Sequence, residues 1–328
     1  MYFNMVKKPL KLLKDPRLFH EFYIEKSLSI IRYKLTGKKK QYVKFGSRSV
    51  LSMEEANRLM YEGLISDKPF AIARNGGTES ICVLNELLLN IGATDEVGAE
   101  QMERGKNSSG IFPATQKQFR EFANIYAEAI GAADLTVYWG HILCEKYILD
   151  KYVPSAKLLP SRALEPFGFN EPWTRALKGK KVLVIHPFEK TILRQFENRD
   201  KLFKNPDILP EFELKTVKAV QSLAEQDCGF ENWTQALESM KSEIEKVDFD
   251  IALLGCGAYA IPLIAHCKKL GKKAVVLGGM LQLFFGIKGD RWERSRPDVL
   301  AMYNEYWVRA DETEKPKGYT KTEGGAYW

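Results

Sequence analysis

The chain has 328 residues, 45% of them hydrophobic and 28% charged, with 24 Gly and 14 Pro, which excludes disordered and collagen-like classes and allows one large or two modest domains. Its formal charge of +7 is unevenly placed: residues 1–50 carry 13 Lys and Arg against 3 Asp and Glu, or +10, so residues 51–328 sum to −3. No run reaches the roughly 18 apolar residues of a spanning helix. The five cysteines are odd in number and never spaced Cys-x-x-Cys, which suggests neither a disulfide framework nor a zinc site.

The basic character belongs to an arm, residues 1–50, ahead of an α/β region at 51–328. In the arm Leu10, Leu12, Leu13, Leu18, Phe22 and Leu28 alternate with Lys7, Lys11, Lys14, Arg17, Lys26 and Arg32, and Lys38-Lys39-Lys40 follows. An apolar stripe with a basic flank fits two arrangements: a helix lying on an anionic membrane surface, or a helix packed on its own domain with a solvated basic face. Nucleic acid is disfavoured, because the remainder is acidic and the arm matches no recognition motif. The first residues lack the apolar core and cleavage site of a secretory signal. A cytoplasmic location, peripheral on the inner face of the membrane, is therefore expected.

From residue 52 the pattern is helix (Met53 to Leu64), short buried strand (Pro69 to Arg74), and helix (Ser80 to Leu89), with Thr78 as a candidate cap. A helix from about Ala114 to Ile130 and an apolar strand, Leu135 to Trp139, come next. Residues 151–180 hold Pro154, Pro160, Pro166 and Pro172 and read as an irregular connector. It joins the sub-parts 51–150 and 178–328.

Lys181 to His186 is an apolar, β-branched run, after which Pro187 at a first helical position would open a helix. Phe212 to Val220 reads as a strand. In Asn232 to Val247 the apolar residues Trp233, Ala236, Leu237, Met240 and Ile244 recur at helical spacing. A strand (Phe249 to Leu254), a helix (Ala258 to Leu270) and a strand (Lys273 to Leu277) then form a right-handed βαβ unit of a parallel sheet.

Four segments carry candidate chemistry. Gly255, Gly257 and Ala258 fit the Gly-x-Gly-x-x-Gly/Ala turn that presents backbone N–H groups to a phosphate. The acid that would hold a dinucleotide ribose is missing, since the next strand runs into Gly278-Gly279, which argues against NAD or FAD. Gly278 and Gly279 open a strand end to a ligand, with Gln282, Lys288 and Arg291 beyond; each cation is either a phosphate contact or plain surface charge. His186, at a strand's end, is a general base, a phosphate contact or a satisfied structural residue. Arg74, Asn75, Gly76, Gly77 and Glu79 combine a strand-end cation, a glycine pair and an acid. Glu79 is there a base, a metal ligand or a helix-capping carboxylate.

Ile72 to Glu79, Asp250 to Ala258 and Gly271 to Gly279 together resemble bacterial glycosyltransferases of the GT-D fold, in which an Arg-x-Gly-Asp-Gly-Glu-like element opens the domain and glycine-rich elements close it. The likeness covers about residues 65–290. Lys181 to Phe188, Leu209 to Phe212, Phe285 to Gly289 and Glu323 to Trp328 are similar to proteins of surface-polysaccharide gene clusters.

The resemblance implies a doubly wound, mainly parallel, Rossmann-related α/β fold. It also implies transfer of a sugar from a nucleotide-diphosphate donor, a UDP-sugar or another, to a lipid-linked surface glycan. The family's Glu corresponds to Glu79 and its Asp to Gly77, so a Mn²⁺ or Mg²⁺ site would rest on Glu79 alone, and Arg74, Lys288 or Arg291 would stabilise the leaving diphosphate. Arg74, Asn75, Gly76, Gly77, Gly255, Gly257, Ala258, Gly278, Gly279, Gln282, Lys288 and Arg291 are the expected donor contacts, with Glu79 and His186 the candidate bases. The alternatives are a non-catalytic nucleotide-binding partner in polysaccharide assembly and another nucleotide-dependent transferase.

Overall fold

The computed structural model describes residues 5–37, 44–45, 48–223, 227–321 and 324–328. The Lys38-Lys39-Lys40 run and Glu323 lie outside the described residues. After a short hairpin, β1 (Lys44–Phe45) and β2 (Arg48–Ser49), seven strands form one parallel sheet: β3 (Phe70–Ala73), β4 (Leu135–Tyr138), β5 (Lys157–Pro160), β6 (Lys181–His186), β7 (Glu213–Lys218), β8 (Ile251–Leu254) and β9 (Lys273–Val276). Their spatial order is β5-β4-β3-β9-β8-β6-β7. Ile72 is in register with Leu135 on one side and Val275 on the other.

Every inner strand is apolar on both faces, as a parallel sheet covered on both sides demands, and alternate residues feed different layers. Ala71, Ala73, Ala252 and Leu254 pack under helices Gly77–Asn90, Gln116–Ile130, Trp233–Glu245 and Ala260–Lys269. Ile72, Leu253 and Val275 pack under helices Met53–Ile65 and Glu189–Phe196 and the segment around Leu281, Phe284 and Phe285. The fold is a doubly wound α/β sheet. At its centre the exits go to opposite faces: β3 and β8 lead into helices of the first layer, whereas β9 and β6 lead into the second. Neighbouring strands whose exits part in this way leave a crevice at their carboxyl ends, the usual ligand position in such sheets.

Three expectations need correction. The connector contains an ordered edge strand, β5, whose Pro160 lies opposite Tyr138; an edge position needs no ladder hydrogen bond from a proline nitrogen, so the prolines misled the reading. Helix Gly77–Asn90 begins three residues earlier than expected, and its N-cap is Gly76 with extended backbone, not Thr78. Pro187 does not open the next helix, because His186 Nδ1 accepts the Phe188 N–H at 3.0 Å and holds Pro187 and Phe188 in a turn before Glu189–Phe196.

The arm divides in two. Leu12, Leu18 and Phe22 are buried in the first layer. Asp15 caps Pro16–Phe19 and accepts from the Tyr147 hydroxyl, and Glu21 accepts from the Tyr147 N–H at 2.9 Å. The following helix, Lys26–Thr36, is different: Leu28, Ile31 and Leu35 are 56%, 52% and 80% exposed.

Candidate functional site

A cavity of about 430 Å³ sits over the carboxyl ends of β3, β6, β8 and β9. Its floor is made of strand-end turns that exclude side chains. Gly278 has φ +59°, and a methyl group there would meet Arg74 Nη1 at 2.6 Å; glycine is the residue that meets both conditions. A methyl at Gly255 would strike the His186 ring and the Gly278 carbonyl, so the turns after β8 and β9 lie against each other. Gly76, Gly77 and Thr78 bring the N-terminus of the 14-residue helix Gly77–Asn90 to the same space. Their first-turn N–H groups have no intrahelical acceptors.

Arg74, at the end of β3, lies with its guanidinium carbon 4.7 Å from the centre of the Trp139 ring. No carboxylate or carbonyl among the described residues takes a hydrogen bond from it. Desolvation holds its pKa below the usual arginine value, and Arg291 pushes it the same way, whereas Tyr327 and Glu79 oppose. Arg291 donates to the Tyr327 hydroxyl at 3.1 Å. Arg104 adds a third cation to the wall.

Glu79 is buried, at the third position of helix Gly77–Asn90, and its carboxylate folds back against Gly76, where a side chain would overlap it. It is the one side-chain carboxylate lining the cavity among the described residues. No group of three His, Cys, Asp or Glu suited to a metal occurs among them either. Gly77, where the resembled family carries its Asp, is exposed with open space beyond its α-carbon. The donor set present does not match a divalent cation, which needs several oxygen ligands.

His186 is buried, and burial pushes its pKa down to about 3. With Nδ1 accepting from Phe188, the neutral ring carries its proton on Nε2. As a proton acceptor this residue is unsuited, since its one lone pair is engaged. What it offers the cavity is a neutral hydrogen-bond donor.

Gly255, Gly257, Gly278, Gly279, Arg74, Gly76, Gly77, Glu79, His186, Gln282 and Arg291 all line the cavity, as the sequence led one to expect. Three expected contacts do not. Ala258 is fully buried in the first layer, because the turn after β8 rolls its methyl inward. Lys288 lies elsewhere, its Nζ 5.4 Å from the Tyr303 ring centre. Asn75 turns under the sheet edge, its Nδ2 donating to Thr136 Oγ1 at 3.3 Å while its carbonyl accepts from Trp139 Nε1 at 2.8 Å. Gln282 is at the rim but works as a tie: its Nε2 donates to the carbonyls of Lys288 at 2.9 Å and Tyr327 at 3.2 Å.

Sequence reasoning missed an aromatic wall. Trp139 follows β4 and was read only as strand, yet the Trp139 and Gly140 N–H groups each donate to the Glu145 carboxylate at 2.8 Å, which sets the ring under Arg74. Tyr327 and Trp328 return from the far end of the chain to the cavity. The Arg291 N–H donates to the Ala326 carbonyl at 2.9 Å and holds them there. A strand-end Trp and a Gly-Gly-Ala-Tyr-Trp run were the available signals. No protein-family model, curated protein or solved structure matches this chain.

Proposed function

We propose that the chain is a glycosyltransferase, of the GT-D kind that its motifs resemble, using a nucleotide-diphosphate sugar as donor. The observation that carries this reading is Arg74: a desolvated guanidinium with no anion among the described residues, held at the junction of glycine turns and a helix N-terminus. Arg74 is half-buried at the cavity wall, and burial disfavours its charge; a diphosphate would offset that with charge-assisted bonds. Arg74 and Arg291 contact the diphosphate, the first-turn amides of Gly77 and Thr78 add donors, and neutral His186 donates from Nε2.

In the transfer, the acceptor hydroxyl oxygen bonds to the anomeric carbon while the bond from that carbon to the diphosphate oxygen breaks. The electron pair leaves with the nucleoside diphosphate, where the arginines meet the developing charge. The hydroxyl proton passes to the Glu79 carboxylate and then to water. No metal ion enters this scheme.

A thermal-shift series with UDP, GDP, CDP and dTDP, and with their sugars, tests the reading. A matching nucleotide at 100 times its Kd adds about 2.7 kcal/mol, a rise of roughly 4 °C in Tm, and its sugar ester is consumed in the presence of acceptor. No shift with any nucleotide overturns the proposal.

The arm supports a peripheral position on an anionic membrane, where a lipid-linked acceptor would lie. Leu28, Ile31 and Leu35 are exposed on one helix, and residues 26–50 hold eight Lys and Arg and no acid. That charge opposes pairing with a second copy of the same helix and suits anionic lipid. The full chain should sediment with phosphatidylserine vesicles and not with pure phosphatidylcholine, and the triple change of Leu28, Ile31 and Leu35 to Ser should release it. Equal sedimentation of that variant rules the surface out.

A further inference from the structure

A second cavity of about 250 Å³ adjoins the first and shares with it Arg74, Trp139, Gly279, Arg291 and Tyr327. We propose that this second cavity receives the phosphate-bearing sugar of the acceptor, an inference that rests on the donor reading of the first. At this size it falls below the roughly 300–1,000 Å³ of sites that enclose a whole drug-sized ligand. It takes one sugar phosphate unit and excludes a second nucleotide.

The charge arrangement selects an anion. On the outer rim Arg296 holds Glu165 at 2.7 and 3.1 Å and Asp298 at 2.6 and 2.8 Å. Arg162 reaches the same two acids at 3.4 and 3.0 Å. These two cations and two anions cancel. Among the described residues, the charge left facing the cavity is then that of Arg74 on the shared inner wall, which gives no hydrogen bond to an acid. Arg162 is bound less tightly than Arg296, and its side chain is 56% exposed, so it can turn from its acids to an incoming phosphate.

The remaining lining suits a sugar. Trp139, Trp292 and Tyr327 line it beside the Ser161 hydroxyl, which has no hydrogen-bond partner among the described residues, a mixed aromatic and hydroxyl surface of the kind a pyranose takes. Because both cavities end on Arg74, a donor diphosphate in one and an acceptor in the other would meet at the same guanidinium. That is the arrangement in which bound substrates are brought to reacting distance.

The test is calorimetry on the full chain with a hexose 1-phosphate, alone and with saturating UDP, or with whichever nucleoside diphosphate binds best. The expected result is binding of the hexose 1-phosphate in the presence of the nucleotide, weakened at least tenfold by Arg162→Ala and largely restored by Arg162→Lys, with nucleotide affinity unchanged throughout. An unaltered melting curve for Arg162→Ala is expected from its exposure. Purely competitive binding, equal binding of the free hexose, or no effect of Arg162→Ala overturns the proposal while leaving the donor site standing. Hexose phosphate binding with no nucleotide binding would instead remove the donor reading and keep this cavity assigned. A long-chain alkyl phosphodiester of the same hexose separates the sources: tighter binding assigns a lipid-linked acceptor, and equal binding a soluble sugar phosphate.

Discussion

Arg74→Met is expected to weaken nucleoside diphosphate binding by more than about 100-fold while Tm stays level or rises. The two halves of this result have one cause. In the free protein the guanidinium gives no hydrogen bond to an acid or carbonyl among the described residues and lies over the Trp139 face. A cation–π contact returns up to about 2 kcal/mol, which roughly offsets the cost of desolvating a half-buried guanidinium. Methionine fills similar space without the charge, so folding gains or breaks even. In the complex, two charge-assisted hydrogen bonds at about 1.5–3 kcal/mol each are lost, which is where the 100-fold comes from. A structural arginine would behave oppositely, with Tm falling and nucleotide affinity unmoved, and that pattern in paired melting and titration curves would falsify the assignment.

Glu79→Gln should leave nucleotide binding within about twofold and cut sugar transfer by 10²–10⁴, the usual contribution of a positioned general base. The amide keeps the shape that packs against Gly76 and the first turn of helix Gly77–Asn90, so the melting curve should show little change. Full turnover in this variant moves the proton acceptor elsewhere. His186 is a poor second choice, since its pKa lies near 3 and its Nδ1 is occupied. A wild-type protein that binds nucleotide tightly and never consumes the sugar ester would instead be a non-catalytic nucleotide-binding partner, a reading favoured by the lone carboxylate among the cavity's described residues.

The strands and the principal helices were legible because their signals are local. Trp233–Glu245 announces itself through apolar spacing and Asn232, whose side chain caps it by accepting from the Gln235 N–H. The glycine turns after β8 and β9 were legible as well, since strand ends followed by Gly mark close backbone approach. Edge strand β5 was not, because proline is a breaker in the sequence and harmless at a sheet edge.

Among site residues the division follows the same line. Arg74, Glu79 and the Gly255 and Gly278 turns sit directly after strands, so chain position alone brought them to the crevice. Lys288, Ala258 and Asn75 have equally suggestive neighbours, yet one turn of backbone sends each away. Trp139, Tyr327 and Trp328 carry no local sign of a place in the crevice, and they reach the cavity through the Glu145 clamp and the hydrogen bonds of residues 326–328 to the segment around Arg291.

By itself the sequence determined that this is an α/β chain with an acidic body, a basic arm and glycine turns at strand ends, because periodicity, composition and glycine placement act within a few residues. The tertiary structure alone decided that Arg74 gives no hydrogen bond to an acid or carbonyl among the described residues, that His186 is neutral, and that Leu12, Leu18 and Phe22 of the arm are buried while Leu28, Ile31 and Leu35 are exposed. Those are properties of desolvation and long-range partners, which depend on what the fold brings near and have no expression in local spacing.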